Sequence, residues 1–343
     1  MTPLQQISAP LLAWYDAGHR SLPWREIVSP YRTWVSEIML QQTRVAAVIP
    51  YFQRFMAAFP SVEALAAAEE GQLMALWQGL GYYSRARNLH KAARDIVGNY
   101  AGVFPDNFAD IRKLPGIGDY TAGAIASIAF GEAVPAVDGN VLRVVARLTD
   151  CEENILSPAL RRRVTAELQA VIPRDRSGDF NQAMMELGAM VCLPNTPPRC
   201  EECPCRAFCQ GYESGRAASL PVREKNAAKR RETYTVFVLR RAGSEAVVQR
   251  SSQGLLASLW EYPNVLGTLS ETEAARQLSG WQVVPHKWLK KEKKRHIFTH
   301  IVWDMTVYTI EITGDGCKEW CWRNHDNAAD YPMPTAFSKL SKH

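Results

Sequence analysis

Four cysteines, Cys192, Cys200, Cys203 and Cys209, lie in one short stretch of this chain and are separated by seven, two and five residues. One irregular loop of that length can bring four thiolates to an iron-sulfur cluster. Disulfides are the first alternative, but no secretory signal and no apolar run of membrane-spanning length is seen, so a reducing cytoplasm is the expected compartment. Zinc is the second alternative, and the spacing alone does not decide between zinc and a cluster.

A glycine-rich turn lies upstream, where Leu114-Pro-Gly116-Ile-Gly118 is followed by apolar residues at helical spacing. The pattern predicts a hairpin between two helices at about residues 112–130, with glycines that permit a tight turn and leave backbone N–H groups uncovered. Such a helix N-terminus can bind phosphate. A plain helical connection is the alternative, and this segment does not distinguish the two.

A carboxylate, Asp138, follows the hairpin and precedes a predicted helix from Val141 to Leu148. Capping of that helix is the commoner role for an Asp at such a place. A hairpin, a following Asp and a four-cysteine loop, in this order and spacing, nevertheless resemble the helix-hairpin-helix DNA glycosylases of the endonuclease III superfamily.

The N-terminal segments Leu22-Pro-Trp-Arg25 and Trp34-Val-Ser-Glu-Ile-Met-Leu-Gln-Gln-Thr43 narrow this resemblance to adenine DNA glycosylases of the MutY type, essentially from end to end. The resemblance implies a 4Fe-4S cluster on the four cysteines. The first cysteine gap is seven residues, where the family usually has six. Cys205 adds a fifth thiol to the loop, so the choice of Cys203 rests on the gaps of two and five.

The chemistry of base removal gives the carboxylates their expected roles. Cleavage of a purine N-glycosidic bond leaves positive charge on the sugar and negative charge on the base, so an acid and an anion are needed. The resemblance implies that Glu37 protonates adenine N7 and later activates water, which requires a raised pKa, and that Asp138 stays ionised beside the sugar. Tyr120 and Asn140 match positions that orient this pair. Bifunctional relatives have a lysine where this chain has Tyr120, so a monofunctional enzyme is expected.

The resemblance also implies a DNA-binding surface. It assigns the adenine pocket to Trp24, Arg25 and Gln182, the wedge in the duplex to Gln42 and Tyr82, and contacts with the opposite base to Thr43 and Leu80. Phe298-Thr299-His300 matches a Phe-Ser-His loop that reads 8-oxoguanine, with Thr in place of Ser, although these residues also fit an ordinary strand. Five arginines are candidates for phosphate contact, with an ordinary solvated surface position as the alternative for each: Arg85, Arg87, Arg143, Arg199 and Arg206. The run from Lys290 to Arg295 is a further candidate, and a solvated turn is its alternative.

The 343 residues are too many for one typical core, and a formal charge of +5 is mildly basic. Helical patterns dominate residues 1–215, which predict an all-α glycosylase domain; residues 216–231 read as a linker, and 232–343 as a smaller α/β Nudix-like domain that reads 8-oxoguanine. The expected enzyme excises adenine from A:8-oxoguanine and A:G mispairs in double-stranded DNA. It is expected to be a monomer that does not bind membranes and to work in the cytoplasm, in association with a nucleoid of the bacterial type. The alternatives are a bifunctional endonuclease III-like pyrimidine glycosylase and a noncatalytic cluster-containing DNA-binding module.

Overall fold

The computed structural model describes residues 2–224, 228–328 and 330–340. Contacts divide the chain into two compact units, one formed by Met1–Ala68 and Arg87–Lys225 and the other by Glu69–Ala86 and Asn226–His343. Residues 225–227 of the predicted linker lie outside the described residues. Among those that are described, no helix is both long and apolar enough to cross a membrane.

The N-terminal part of the chain is helical, and two short 3-10 turns, Cys200–Glu202 and Arg206–Phe208, shape the cysteine loop. In chain order its helices are α1 (Pro3–Gln6), α2 (Ser8–Gly18), α3 (Pro23–Glu26), α4 (Pro30–Leu40), α5 (Val45–Ala58), α6 (Val62–Ala66), α7 (Glu70–Trp77), α8 (Ser84–Asn99), α9 (Phe108–Ile111), α10 (Asp119–Phe130), α11 (Gly139–Leu148), α12 (Pro158–Gln169), α13 (Ser177–Met190) and α14 (Gln210–Glu213). The all-α expectation for this part is confirmed.

The hairpin between α9 and α10 has the geometry that its glycines indicate. Gly116 has a φ of +77°, and a Cβ at this position would come within 2.5 Å of the Asn88 Cβ, so only glycine fits. Gly118 is the N-cap residue of α10 and has an extended conformation. The backbone N–H groups of the first turn, which follow it, have no acceptor within the helix. The turn thus presents a helix N-terminus.

A core of apolar side chains joins the first two helices to α11, α12 and α13. Its fully buried members include Ile7, Leu11, Phe180 and Leu187, and Cys205 belongs to the same cluster. Burial of each large aliphatic side chain stabilises the fold by about 1.5–3 kcal/mol, so α11 and α13 are held firmly beside one another. Asp138 caps the N-terminus of α11, and Gln182 lies on α13.

The second unit contains a mixed sheet. Its strands are β1 (Arg230–Arg241), β2 (Ser244–Gln249), β3 (Trp260–Glu261), β4 (Asn264–Leu266), β5 (Val284–Ile297), β6 (Ile301–Thr313) and β7 (Cys321–Arg323), and its later helices are α15 (Glu271–Gly280) and α16 (Thr335–Ser338). The order is β3-β2-β1-β6-β5, with β4 beside β1 and β7 beside β2. Strand β6 runs parallel to β1 and antiparallel to β5.

Two apolar layers cover this sheet. Val236, Val307 and Phe337 belong to one, and Phe237, Leu278 and Tyr308 belong to the other. Alternate residues of β1 therefore point to opposite faces, as a buried central strand requires. The expectation of an α/β fold for the C-terminal domain is confirmed. A solvated turn at Lys290–Arg295 is wrong, because these residues form the middle of β5.

Candidate active site

A buried carboxylate, Glu37, lies on α4. Ser29 caps this helix by accepting from the Arg32 N–H, and Pro30 occupies its first turn. The helix is buried on nearly every side, so Glu37 is only 6 % exposed. The Tyr120 hydroxyl, on α10, donates to Glu37 Oε2 at 2.6 Å.

The surroundings of Glu37 favour its neutral form. Burial is the largest influence and raises the pKa of Glu37 to about 7; the negative charge of Asp138 acts in the same direction, while the Tyr120 hydrogen bond and the charge of Arg25 oppose it. Burial also raises the pKa of Tyr120 well above its ordinary value, so the hydroxyl remains a donor. Near neutral pH, Glu37 therefore populates both protonation states, as a group that both donates and accepts a proton must.

The second carboxylate, Asp138, is fixed in orientation. Its Oδ1 accepts from the Val141 N–H at 2.8 Å, so Asp138 caps α11 as expected from its position. Its Oδ2 accepts from the Asn140 side chain at 2.7 Å. Capping and a second role are compatible here, because the cap bond and the Asn140 bond together hold the carboxylate in one rotamer.

Arg143 holds Asn140 in turn. Its guanidinium donates to Asn140 Oδ1 at 3.1 Å, to the Gly188 carbonyl at 2.8 Å and to the Cys192 carbonyl at 3.0 Å. A Cβ at Gly188 would lie 2.9 Å from the Asn140 Cβ, so glycine permits this close approach of α13 to α11. Arg143 is 7 % exposed, so its predicted phosphate contact is wrong.

Both carboxylates line one open cavity of about 610 Å³ in the first unit. The predicted site residues that the structure places around this cavity are Trp24, Arg25, Glu37, Gln42, Thr43, Tyr120, Asp138, Asn140 and Gln182. The volume lies within the range of ordinary small-molecule sites. Gly116 and Gly118 lie at the hairpin, outside this lining.

Glu186 also lines this cavity, although the sequence analysis did not identify it as a site residue. Its side chain is 2 % exposed. The carboxylate accepts hydrogen bonds from Arg20 Nε at 2.6 Å, from Arg20 Nη2 at 2.9 Å and from Arg25 Nη2 at 3.1 Å. Burial alone would raise the pKa of Glu186, but the Arg20 hydrogen bond and the charges of Arg25 and Arg20 hold it below its ordinary value. Its position four residues after Gln182 on α13 is the signal that could have found it, because residues at that spacing share a helix face.

The cysteine loop gathers its four predicted ligands around one small cavity. Cys192, Cys200, Cys203 and Cys209 line it together with apolar residues of α11 and α13, while Cys205 is fully buried in the neighbouring core. Arg147 extends into the same cavity and donates to Cys192 Sγ at 3.3 Å. Within the described part of the chain, no three His, Cys, Asp or Glu side chains have the geometry of a single-ion site.

Two exposed residues predicted to enter the duplex have unusual backbone conformations. Gln42, in the first unit, has a φ of +58°, and Tyr82, in the second unit, has a φ of +49°. Residues other than glycine rarely adopt this left-handed conformation, and such strain is concentrated at functional sites. Thr43 follows Gln42, and its hydroxyl donates to the Gln41 carbonyl.

The second unit brings Tyr82 to the predicted recognition loop. Phe298, Thr299 and His300 form the turn between β5 and β6, so the strand alternative is wrong. The hydroxyls of Tyr82 and Thr299 are 2.8 Å apart, and the Phe298 ring packs against Trp303. Thr299 and His300 are exposed.

Leu80 and Arg85 of the second unit lie beneath this surface. Leu80 is buried, and its carbonyl accepts from the Arg85 guanidinium at 3.0 Å. Arg85 is 8 % exposed and lies over the rings of Trp77 and Tyr82. A phosphate contact for Arg85 is therefore wrong, because its guanidinium stabilises the backbone that presents Tyr82.

Comparison with known proteins agrees with this arrangement. Residues 35–174 match the family described as HhH-GPD superfamily base excision DNA repair protein, and residues 235–343 match the NUDIX domain. An adenine DNA glycosylase of Rattus norvegicus is 35 % identical, over 96 % of this chain and 76 % of the relative. One of Buchnera aphidicola subsp. Baizongia pistaciae is 31 % identical, over 96 % of this chain and 94 % of the relative.

Solved structures resemble the helical part. A thermostable thymine-DNA glycosylase aligns with a TM-score of 0.57 at 26 % identity, covering 62 % of this chain and 97 % of that one. A non-covalent endonuclease III–DNA complex aligns with a TM-score of 0.52 at 25 % identity, covering 63 % of this chain and 99 % of that one.

Proposed function

Because the chain belongs to the adenine DNA glycosylase family, we propose that it excises adenine paired with 8-oxoguanine and, less efficiently, with guanine. Members of this family are hydrolases that cleave the N-glycosidic bond of adenine in base excision repair of DNA. One observation carries the proposal: a buried Glu37 with a pKa of about 7 and a fixed Asp138 line the same cavity.

Glu37 is the proposed acid. In its protonated form it donates a proton to N7 of a flipped adenine. The protonated base then takes the electrons of the breaking N-glycosidic bond and leaves as neutral adenine. Its carboxylate then accepts a proton from the water that adds to the sugar, which restores the starting state. The Tyr120 hydroxyl orients Glu37 in both steps through the bond at 2.6 Å.

Asp138 is the proposed anion. Its ionised carboxylate stabilises the positive charge that develops on the deoxyribose ring, and the Val141 and Asn140 donors hold it in place before the reaction begins. Tyr120 has no amine that could form an imine with the sugar. The proposed product is therefore an abasic site in an intact strand.

The base-binding roles follow the lining of the cavity. Trp24, Arg25 and Gln182 are proposed to bind the flipped adenine, with Glu186 holding the Arg25 guanidinium. At the rim, Gln42 is proposed to enter the duplex, and Thr43 is proposed to contact the base opposite adenine. Gly116 and Gly118 are proposed to bind backbone phosphate through the amides at the start of α10.

The second unit is proposed to read the base opposite adenine. Thr299 and Tyr82, whose hydroxyls are hydrogen-bonded, are proposed to contact 8-oxoguanine, and His300 is exposed beside them. Phe298 anchors the turn in the apolar layer below it, and Leu80 supports the segment that carries Tyr82. One hydroxyl of the Tyr82–Thr299 pair donates to the other and is left as an acceptor, which suits the N7–H that 8-oxoguanine has and guanine lacks.

The cysteine loop is proposed to hold a 4Fe-4S cluster. Four thiolates are an anionic donor set, and the buried guanidinium of Arg147 beside Cys192 Sγ compensates negative charge at that place. The apolar walls from α11 and α13 exclude water from the same cavity. When bound, the cluster would cross-link the loop that follows α13, and Cys192, Cys200, Cys203 and Cys209 would hold it.

Metal analysis tests the ligand set. Cys203→Ser should lose iron and its visible absorbance, whereas Cys205→Ala, the matched control in the same loop, should keep both. Zinc in place of iron in protein purified without oxygen would contradict the cluster. Iron lost from Cys205→Ala but kept in Cys203→Ser would reverse the ligand choice.

A strand-cleavage assay tests the activity. Duplexes with one adenine opposite 8-oxoguanine, G, T or C are incubated with the protein and resolved with and without alkali. Alkali-dependent cleavage that is strongest opposite 8-oxoguanine and weaker opposite G supports the proposal. Cleavage without alkali would indicate a bifunctional enzyme, and no base release from any duplex would leave a DNA-binding module.

A further inference from the structure

The net positive charge of this chain equals the net charge of one strand, β5. Strand β5 contains five Lys, one Arg and one Glu, a formal charge of +5, which equals the formal charge of the whole chain. All other residues together therefore sum to zero. A charge distribution this uneven marks a surface for a polyanion better than the net charge does.

The position of β5 exposes this charge. The strand is the last in the order β3-β2-β1-β6-β5 and pairs with β6 alone among the described strands. Eleven of its fourteen residues are exposed. The six cations thus lie on an exposed edge strand of the second unit, with their side chains on its two faces.

Internal carboxylates compensate only part of the charge. Glu292 forms ion pairs with Lys294 at 2.8 Å and with Lys290 at 3.2 Å, and Asp304 forms one with Arg295 at 2.6 Å. Lys287 and Lys293 form no ion pair with any described residue. These two side chains keep their full charge for an external partner.

The strand leads directly into the turn proposed to read the base opposite adenine. Ile297 ends β5, Phe298 follows it, and the Phe298 N–H closes the hairpin on the Ile301 carbonyl at 2.9 Å. At about 3.4 Å for each residue, Lys293 lies about 17 Å from this turn along the strand. A duplex carries one phosphate in each strand for roughly every 3.4 Å of its helix axis, so a surface of this length can contact several phosphates.

We propose that the exposed edge of β5 binds DNA phosphates without regard to sequence, and so anchors the second unit beside the base that its turn reads. This inference rests on the proposed function, because DNA is taken as the partner. The edge is a binding surface in addition to the turn itself. Lysines on an edge strand also prevent pairing between sheet edges, which is the other role that these charges could have.

Salt dependence of binding to an undamaged, fully paired duplex tests the edge separately from base excision. The test variant is Lys287→Gln with Lys293→Gln, which breaks no described ion pair. The control is Arg276→Gln with Lys318→Gln, which removes the same charge from exposed positions of the same unit. Affinity is measured between about 50 and 200 mM salt, and each lost phosphate contact should lower the logarithmic slope by about 0.9.

A slope smaller by about 2 in the test variant, with an unchanged slope in the control, supports the proposal. Equal slopes in the test variant and wild type would overturn it and leave protection of the edge as the role. An equal loss in both variants would also overturn it, because net charge rather than position would then matter. If the test variant alone has the reduced slope but wild type releases no adenine from any mispair, the proposed function fails while the binding role of β5 stands.

Discussion

The raised pKa of Glu37 should make the protein less stable at high pH, and Glu37→Gln should remove that penalty. The pKa of Glu37 is about 7 in the folded chain and 4.5 ordinarily. Between these values the folded chain binds more protons than the unfolded chain, so wild-type stability falls as pH rises through this window. At about 1.4 kcal/mol for each pKa unit, the loss by pH 8 is roughly 3 kcal/mol.

Gln suits this test because its amide oxygen still accepts from the Tyr120 hydroxyl, and it carries no charge at any pH. Urea unfolding of wild type and Glu37→Gln is compared at pH 5 and pH 8, with exposed Glu213→Gln as the control. The variant should gain about 2.5 kcal/mol relative to wild type between the two pH values, because a small part of the loss has already occurred at pH 5, and the control should gain nothing. Parallel pH dependence of wild type and Glu37→Gln would refute the reasoning.

Three further substitutions have defined outcomes. Asp138→Asn keeps a good helix cap, so the fold should persist while excision falls by about 10²–10³-fold in single-turnover assays; undiminished excision would remove Asp138 from the chemistry. Tyr120→Lys should introduce strand cleavage that borohydride traps as a covalent adduct, and no adduct would show that the amine cannot reach the sugar. Glu186→Gln leaves the charge of Arg25 uncompensated, which lowers the pKa of Glu37; excision should then decline at a lower pH than in wild type, and an unshifted profile would contradict this positioning role.

Motifs with fixed local geometry were predictable from the sequence. The hairpin glycines, the cap at Asp138 and the helix of Glu37 follow from backbone preferences and apolar spacing, which act over a few residues. The family resemblance added the roles of these residues, which spacing alone did not supply.

Contacts between distant segments were not predictable in the same way. Glu186 receives two arginines from a segment more than 160 residues away, and no local pattern indicates that approach. Arg85 and Arg143 carry the same charge as surface arginines, and only the fold shows them buried. Strand β5 was missed because its lysines hide the alternation typical of a half-buried strand.

The pH dependence of adenine release tests most directly whether protonated Glu37 is the acid. Single-turnover excision from an A:8-oxoguanine duplex is measured from acid to alkaline pH with subsaturating protein, and duplex binding is measured at each pH as the control. The rate should decline as pH rises through about 7, because the protonated fraction of Glu37 declines there. A rate that is constant across this range, or that increases with pH, would contradict the account.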